Sequence, residues 1–123
     1  MFVDDYLIDS FTGQAVLQLH PPVERDIVIA HDKPWEGNTC AYHTVFKDGD
    51  LYRMYYRGSH NNEFGNGYVK AHPSYTCYAE SRDGIHWTKP NLKLYEFDGS
   101  KNNNIVFEDG YGNFAPFKDE NPD

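Results

Sequence analysis

Apolar and polar residues alternate with a period of two through the middle of this chain. From Thr39 to Phe46, Tyr42, Thr44 and Phe46 fall on one side and His43 and Val45 on the other. Lys47-Asp48-Gly49-Asp50 interrupts the run with an Asp-Gly pair, a strong hairpin signal. From Leu51 to Arg57, Tyr52, Met54 and Tyr56 alternate against Arg53, Tyr55 and Arg57. A period of two belongs to a half-buried strand, so the two runs predict a hairpin. A third strand is predicted from Tyr75 to Glu80. A second Asp-Gly turn at Ser81-Arg82-Asp83-Gly84 leads to a short fourth strand, Ile85 to Thr88, which Lys89-Pro90 ends. Between the second and third strands, Gly58 to Pro73 is rich in Asn, Gly and His and predicts a long polar loop.

The flanks follow a weaker version of the same pattern. Phe2 to Ile8, Ala15 to Leu19 and the run Ile27-Val28-Ile29 are candidate strands before the central hairpin. Leu92 to Phe97, Ile105 to Phe107 and Asn113 to Phe117 follow it. Helical periodicity is nearly absent, and Gly, Asn, Asp and Pro punctuate the chain every ten residues or so. The predicted class is therefore all-β. Four short antiparallel strands joined by tight turns make one β-propeller blade. At roughly 40–50 residues per blade, the chain divides into N-terminal strands over 1–37, a first full blade at about 38–90 and the start of the next over 91–123. A closed propeller needs at least four blades. The expectation is a partial propeller: either one portion of a longer chain or a unit that self-associates as a homo-oligomer. A small β-sandwich of the same hairpins is the rival.

Composition narrows the function classes. The 123 residues carry a formal net charge of -8, which disfavours nucleic acid and anionic membranes as partners. No apolar run is long enough to span a bilayer, and Met1-Phe2-Val3-Asp4-Asp5 has neither the basic nor the apolar part of a signal peptide. The expected location is extracellular or periplasmic if a leader has been removed and cytoplasmic otherwise. Aromatic residues make up 16% of the chain, with ten tyrosines and eight phenylalanines. Such rings favour strands, and their faces also suit stacking on sugars. Cys40 and Cys77 form one disulfide in an oxidising compartment or two small buried thiols, and their strand-like contexts favour thiols. No C-x-x-C occurs, and no His/Cys spacing is read as a zinc site.

Two phrases carry a family resemblance. Val45-Phe46-Lys47-Asp48-Gly49-Asp50-Leu51-Tyr52-Arg53-Met54-Tyr55-Tyr56 resembles the first blade of five-bladed β-propeller glycoside hydrolases related to families 32 and 43. Cys77-Tyr78-Ala79-Glu80-Ser81-Arg82-Asp83-Gly84-Ile85-His86-Trp87 is similar to the later strands of that blade, where A-x-S-x-D-G-x-x-W is common. Phe2 to Ile8 is similar to the start of bacterial proteins of this superfamily, and Ala115 to Asp119 to the first strand of a second blade. The resemblance implies a glycan as partner and O-glycosyl hydrolysis as chemistry, carried by two carboxyl groups at a set separation. It implies an Asp at the first-blade inner strand. The corresponding stretch, Glu36-Gly37-Asn38-Thr39-Cys40-Ala41, has Glu36 as its nearest carboxylate. The family's general acid comes from a later blade, so a complete pair is not expected within this chain.

The candidate catalytic residues are then Glu36, Asp119 and Asp5 (beside Asp4). Asp119 falls where some family members place an Asp that tunes a pKa. The plainer reading of Glu36 is a turn cap on backbone N–H groups, that of Asp5 a solvated acid, and that of Asp119 part of a charged tail. Trp35, in a loop beside Glu36, is the candidate sugar-stacking ring. Arg57, at the end of the second strand, suits a carboxylate or sulfate on an acidic sugar, or an ion pair within the blade. His43 and His60 (with His72) are candidates for a polar substrate site, against hydrogen-bonded structural histidines. No cofactor is required. Calcium is compatible with loop oxygens such as those of Asn61 and Asn62. The alternative function is a non-catalytic carbohydrate-binding or self-associating β module.

Overall fold

The computed structural model describes residues 6, 8–10, 12–14, 18–65, 67–110 and 113–121. Among them the chain is all-β, with five strands and no helix: β1 (Ala41–Asp48), β2 (Leu51–Phe64), β3 (Gly67–Ser81), β4 (Trp87–Thr88) and β5 (Ile105–Gly110). They form one antiparallel sheet in the order β1-β2-β3-β4. β5 joins the same edge of β3 beyond β4, pairing Cys77 with Ile105 while β4 pairs Ser81 with Trp87. Both Asp-Gly turns fall where the sequence places them. Gly49 closes β1–β2 with a φ of 62°, and Gly84 lies between β3 and β4 with a φ of 77°, a region glycine enters at little cost.

The predicted loop from Gly58 to Pro73 is instead strand. β2 runs on to Phe64 and β3 starts at Gly67, paired through Asn61↔Lys70, Asn62↔Val69 and Glu63↔Tyr68. Backbone pairing does not need apolar side chains, and where Asn62, Glu63, Val69, Lys70 and Ala71 are all exposed no hydrophobic alternation is left to read. Leu92 to Phe97 carries no strand, only an isolated bridge from Phe97 to Ser100. Ile27 to Ile29 and Asn113 to Phe117 are likewise irregular. The predicted strands at Phe2 to Ile8 and Ala15 to Leu19 lie largely outside the described residues.

The core sits on one face of the sheet. Met54 and Tyr56 of β2 lie opposite Ala79 and Cys77 of β3, and Tyr75 and Ile105 complete a buried cluster. Ile29, Trp35, Cys40, Trp87, Tyr95 and Phe97 pack against it from the flanking segments. The alternation of Met54 and Tyr56 against Arg53, Tyr55 and Arg57 is thus the core-facing pattern the sequence implies. In β1 the alternation from Thr44 to Asp48 instead half-buries Thr44 and Phe46 on the other face, opposite Tyr55 and Arg53, with Phe46 stacked on Tyr55 at 6.1 Å, while Val45, opposite Met54, is exposed. The alternation breaks at a register shift between Ala41 and Thr44. There Tyr42 takes a φ of 59°, and Tyr42 and His43 are both exposed. Bulges of this kind re-aim side chains next to sites.

Candidate functional site

The loop Asp32–Asn38 crosses the core-facing side of the sheet at Ser59. Glu36 N donates to Lys33 O at 2.9 Å, making a tight turn, and the Glu36 side chain returns to accept from Lys33 N at 2.9 Å. Ser59 N donates to Glu36 O at 2.9 Å and Thr39 N to Ser59 O at 3.0 Å, which fastens the loop to β2. Two glycines allow the approach. A Cβ at Gly58 would lie 2.5 Å from Trp35 O, and one at Gly37 would meet the Ser59 backbone.

This loop drives Glu36 inside, where it is fully buried. Its carboxylate accepts from Tyr56 Oη at 2.6 Å and from Lys89 Nζ at 2.6 Å to Oε1 and 2.8 Å to Oε2, and faces His31 Nδ1 at 3.3 Å. Tyr56 Oη in turn accepts from Asn104 Nδ2 at 2.7 Å, and Asn104 Oδ1 accepts from Trp35 Nε1 at 2.7 Å. Buried polar groups persist when each has partners, and this network supplies them. Burial is the largest influence on the Glu36 carboxyl and pushes its pKa up. Lys89, Tyr56 and the Lys33 amide together outweigh it, so the net direction is down from the ordinary 4.5. Glu36 is therefore ionised at neutral pH. Its stabilisation is present above about pH 4.5 and is lost as pH falls through the lower folded value. Glu36→Gln should flatten the acid limb of stability relative to wild type, as measured by urea unfolding from neutral pH downward. Identical acid limbs would refute this.

Above the Tyr56 ring stand two imidazoles. His43 stacks on it, with centroids 5.5 Å apart and planes at 13°, and His31 tilts against it at 4.7 Å. Their Nε2 atoms are 2.8 Å apart. Cys40 completes a group in which one donor atom from each of His31, Cys40 and His43 lies within 4.8 Å of the others. Burial, reinforced by the Glu36 charge, pushes the Cys40 thiol up to about 12, and burial followed by His31 lowers the His43 pKa. Cys40 and Cys77 are both free thiols. Zinc-finger spacing does not single out this group in the sequence. Cys40-x-x-His43 is its one local signal, and His31 joins only through the fold.

A separate cleft of about 170 Å³ opens on the β2–β3 ribbon, lined by Arg57, Ser59, Asn61, Lys70 and Ser74. Arg57 lies over the ring of Tyr42 at 4.6 Å, and its Nη1 donates to Asn113 Oδ1 at 3.3 Å. Its Nε is buried and finds no partner among the described residues.

The candidates from the sequence are thus distributed. Glu36 and His43 join one cluster. Trp35, half-buried, holds Asn104 and meets Phe97 edge-on at 5.9 Å. Arg57 lines the cleft. His60 lies beside His72, centroids 6.1 Å apart. Asp119 is exposed and accepts from Asn121 N at 2.9 Å. Its neighbour Lys118 pairs with Asp48 at 2.9 Å, beside the β1–β2 turn. Asp119 makes no contact with the Glu36 network among the described residues. Asp5 and Asp4 lie outside the described residues. Asn61 and Asn62 sit on the β2 ribbon, with Asn61 N donating to Asn38 Oδ1 at 3.0 Å. No helix among the described residues is long and apolar enough to cross a membrane.

No family model matches this chain, and no solved structure matches it significantly. Two proteins of Mycobacterium tuberculosis, from strains CDC 1551 / Oshkosh and ATCC 25618 / H37Rv, are each 37% identical to it over 93 residues, and both are described as uncharacterised. The match covers 73% of this chain and 30% of each relative. The chain therefore spans under a third of the relatives' length.

Proposed function

We propose that this chain is a first-blade segment of a glycoside-hydrolase-like β-propeller and that it binds an acidic glycan in the cleft between Arg57 and Lys70. The observation that carries the binding reading is the cleft itself. In a chain of net charge -8, two cations and the side chains of Ser59, Asn61 and Ser74 line one concave surface. An uronate carboxylate or sugar sulfate there would meet a guanidinium whose Nε is already desolvated and unpartnered. Tyr42, half exposed at the bulge, lies under the Arg57 guanidinium at 4.6 Å. The blade reading is supported by the antiparallel order β1-β2-β3-β4. Relatives of which 93 residues are only 30% run to about 310 residues, enough for five blades of roughly 40–50.

Binding in this segment does not require hydrolysis by it. Glu36 is ionised, fully buried and bonded on every side, so its role here is to organise the network, and a cleaving pair would draw on carboxylates elsewhere in a full propeller. Titration with an oligogalacturonide, followed by calorimetry and by amide shifts, should show saturable binding that a neutral glucan oligomer lacks. Arg57→Gln should weaken it by about 10- to 100-fold, the equivalent of about 1.4–2.7 kcal/mol lost from a charge-assisted contact. Absent binding, or binding indifferent to both Arg57→Gln and Lys70→Gln, would overturn the reading.

A further inference from the structure

We propose that His31, Cys40 and His43 form a binding site for a single divalent transition-metal ion, with zinc the best fit, leaving one coordination position open to solvent. The three donor atoms already lie within 4.8 Å of one another. A tetrahedral zinc with Zn–N of about 2.0–2.1 Å and Zn–S of about 2.3 Å needs its ligands roughly 3.3–3.6 Å apart. The 2.8 Å between the two Nε2 atoms must therefore open by about half an ångström, and Cys40 Sγ, within 4.8 Å of a ring nitrogen of each histidine, must close by on the order of 1 Å. Side-chain torsions cover movements of that size.

The surroundings are those of a built site rather than a chance meeting of histidines. A metal-binding imidazole normally gives its other ring nitrogen to a carboxylate, which fixes its tautomer and orientation. His31 Nδ1 faces Glu36 Oε1 at 3.3 Å, leaving Nε2 for the ion. Glu36 is itself held by Tyr56, Lys89 and the Lys33 amide. The Tyr56 ring supports both imidazoles, and the β1 bulge brings His43 to it within three residues of Cys40. One thiolate and two imidazoles suit zinc and its neighbours over calcium or magnesium, which take oxygen ligands. Three protein ligands leave the fourth position for water or a ligand, and the exposure of His43 puts that position at the surface.

Binding exchanges a proton for the ion. With His31 Nδ1–H turned to Glu36, the proton between the rings sits on His43 Nε2 and shifts through solvent to His43 Nδ1, so that each neutral imidazole presents a lone pair on Nε2. The Cys40 thiol proton leaves to solvent, and the Cys40 sulfur becomes a thiolate ligand. No electrons are transferred and no co-reactant is needed. The centre stands whether or not the cleft at Arg57 takes a sugar, because the two share no ligand.

Cobalt(II) is the direct probe, since its thiolate charge-transfer band and ligand-field bands report both the sulfur ligand and the geometry. Titrating the metal-free full chain with cobalt chloride should give one equivalent of a tetrahedral spectrum with a thiolate band, bleached by one equivalent of zinc. Cys40→Ser should remove the thiolate band. His43→Ala, at an exposed position that leaves the core intact, should weaken binding at least 10-fold. Glu36→Gln should weaken it by about 10- to 100-fold by loosening His31. His60→Ala, outside the cluster, should change nothing. A folded chain that shows no saturable cobalt spectrum would overturn the proposal. So would a spectrum that survives both Cys40→Ser and His43→Ala, the second of which remains decisive if the first fails to fold.

Discussion

Replacing Lys89 with methionine should cost about 3–5 kcal/mol of folding stability, the typical cost of removing one partner from a buried ion pair. Lys89 is the only cationic side chain among the described residues that pairs with Glu36 without depending on imidazole protonation. It reaches both carboxylate oxygens, at 2.6 and 2.8 Å, and also contacts Ala30 O and Asp32. Its side chain is 14% exposed and that of Glu36 0%. Methionine keeps the bulk and the apolar stem. What is lost is the charge, and the carboxylate then stays ionised in the interior with only neutral donors or takes up a proton against its hydrogen bonds. Set against the roughly 5–15 kcal/mol that small domains possess, this is a large share, and a fall in Tm on the order of 15–30 °C is expected. Adding Glu36→Gln to Lys89→Met should restore at least half of the loss, because the amide keeps the Tyr56 contact without the charge. Chemical denaturation of the two variants and of wild type decides it. A loss under about 1 kcal/mol for Lys89→Met, the range of solvent-exposed ion pairs, would mean that Glu36 has another counter-charge or reaches water.

The same ion pair marks the limit of what can be read from the sequence. Local periodicity identifies the hairpins around Gly49 and Gly84 and the core-facing residues Met54 and Tyr56, because alternation and turn chemistry are encoded within a few neighbouring positions. Lys89 reads locally as the end of a strand before Pro90, yet its partner lies 53 residues away. Asn104 reads as one of a loop-forming run, yet it is buried and joins Trp35, Tyr56 and Tyr78. Glu36 is legible as a turn-capping carboxylate, and it does accept from the Lys33 amide. Its three side-chain contacts come from other elements. The polar ribbon from Gly58 to Pro73 escapes for a different reason. Strand pairing there is backbone chemistry, and Asn, His and Gly side chains give no periodic signal of it. The His31–Cys40–His43 group joins a loop residue to two residues flanking a bulge, and a bulge is a change of register that strict alternation cannot anticipate.

Gly37→Ala should be the second severe substitution, costing about 2–5 kcal/mol. About 1–2 kcal/mol comes from forcing a side chain into the left-handed region, and about 1–3 kcal/mol from overpacking. Gly37 has a φ of 67°, and a Cβ there would lie 2.6 Å from the Ser59 carbonyl carbon and 2.7 Å from His60 Cβ. The first is backbone inside the paired β2 strand and cannot swing away. Gly49 supplies the control, since its φ is 62° and nothing lies within 4 Å of the same methyl. Gly49→Ala should therefore show the conformational cost alone, about 1–2 kcal/mol. The difference between the two variants measures how tightly the Asp32–Asn38 loop is pressed on β2. That pressure is what puts Glu36 under Tyr56, since Ser59 N holds Glu36 O and Ser59 O receives Thr39 N on either side of the glycine. Gly37→Ala should thus also shift the Tyr56 and His43 ring resonances, which Gly49→Ala should leave in place. Equal stability losses and unmoved rings would mean that the loop does not approach β2 so closely, and the buried carboxylate network would lose its structural basis.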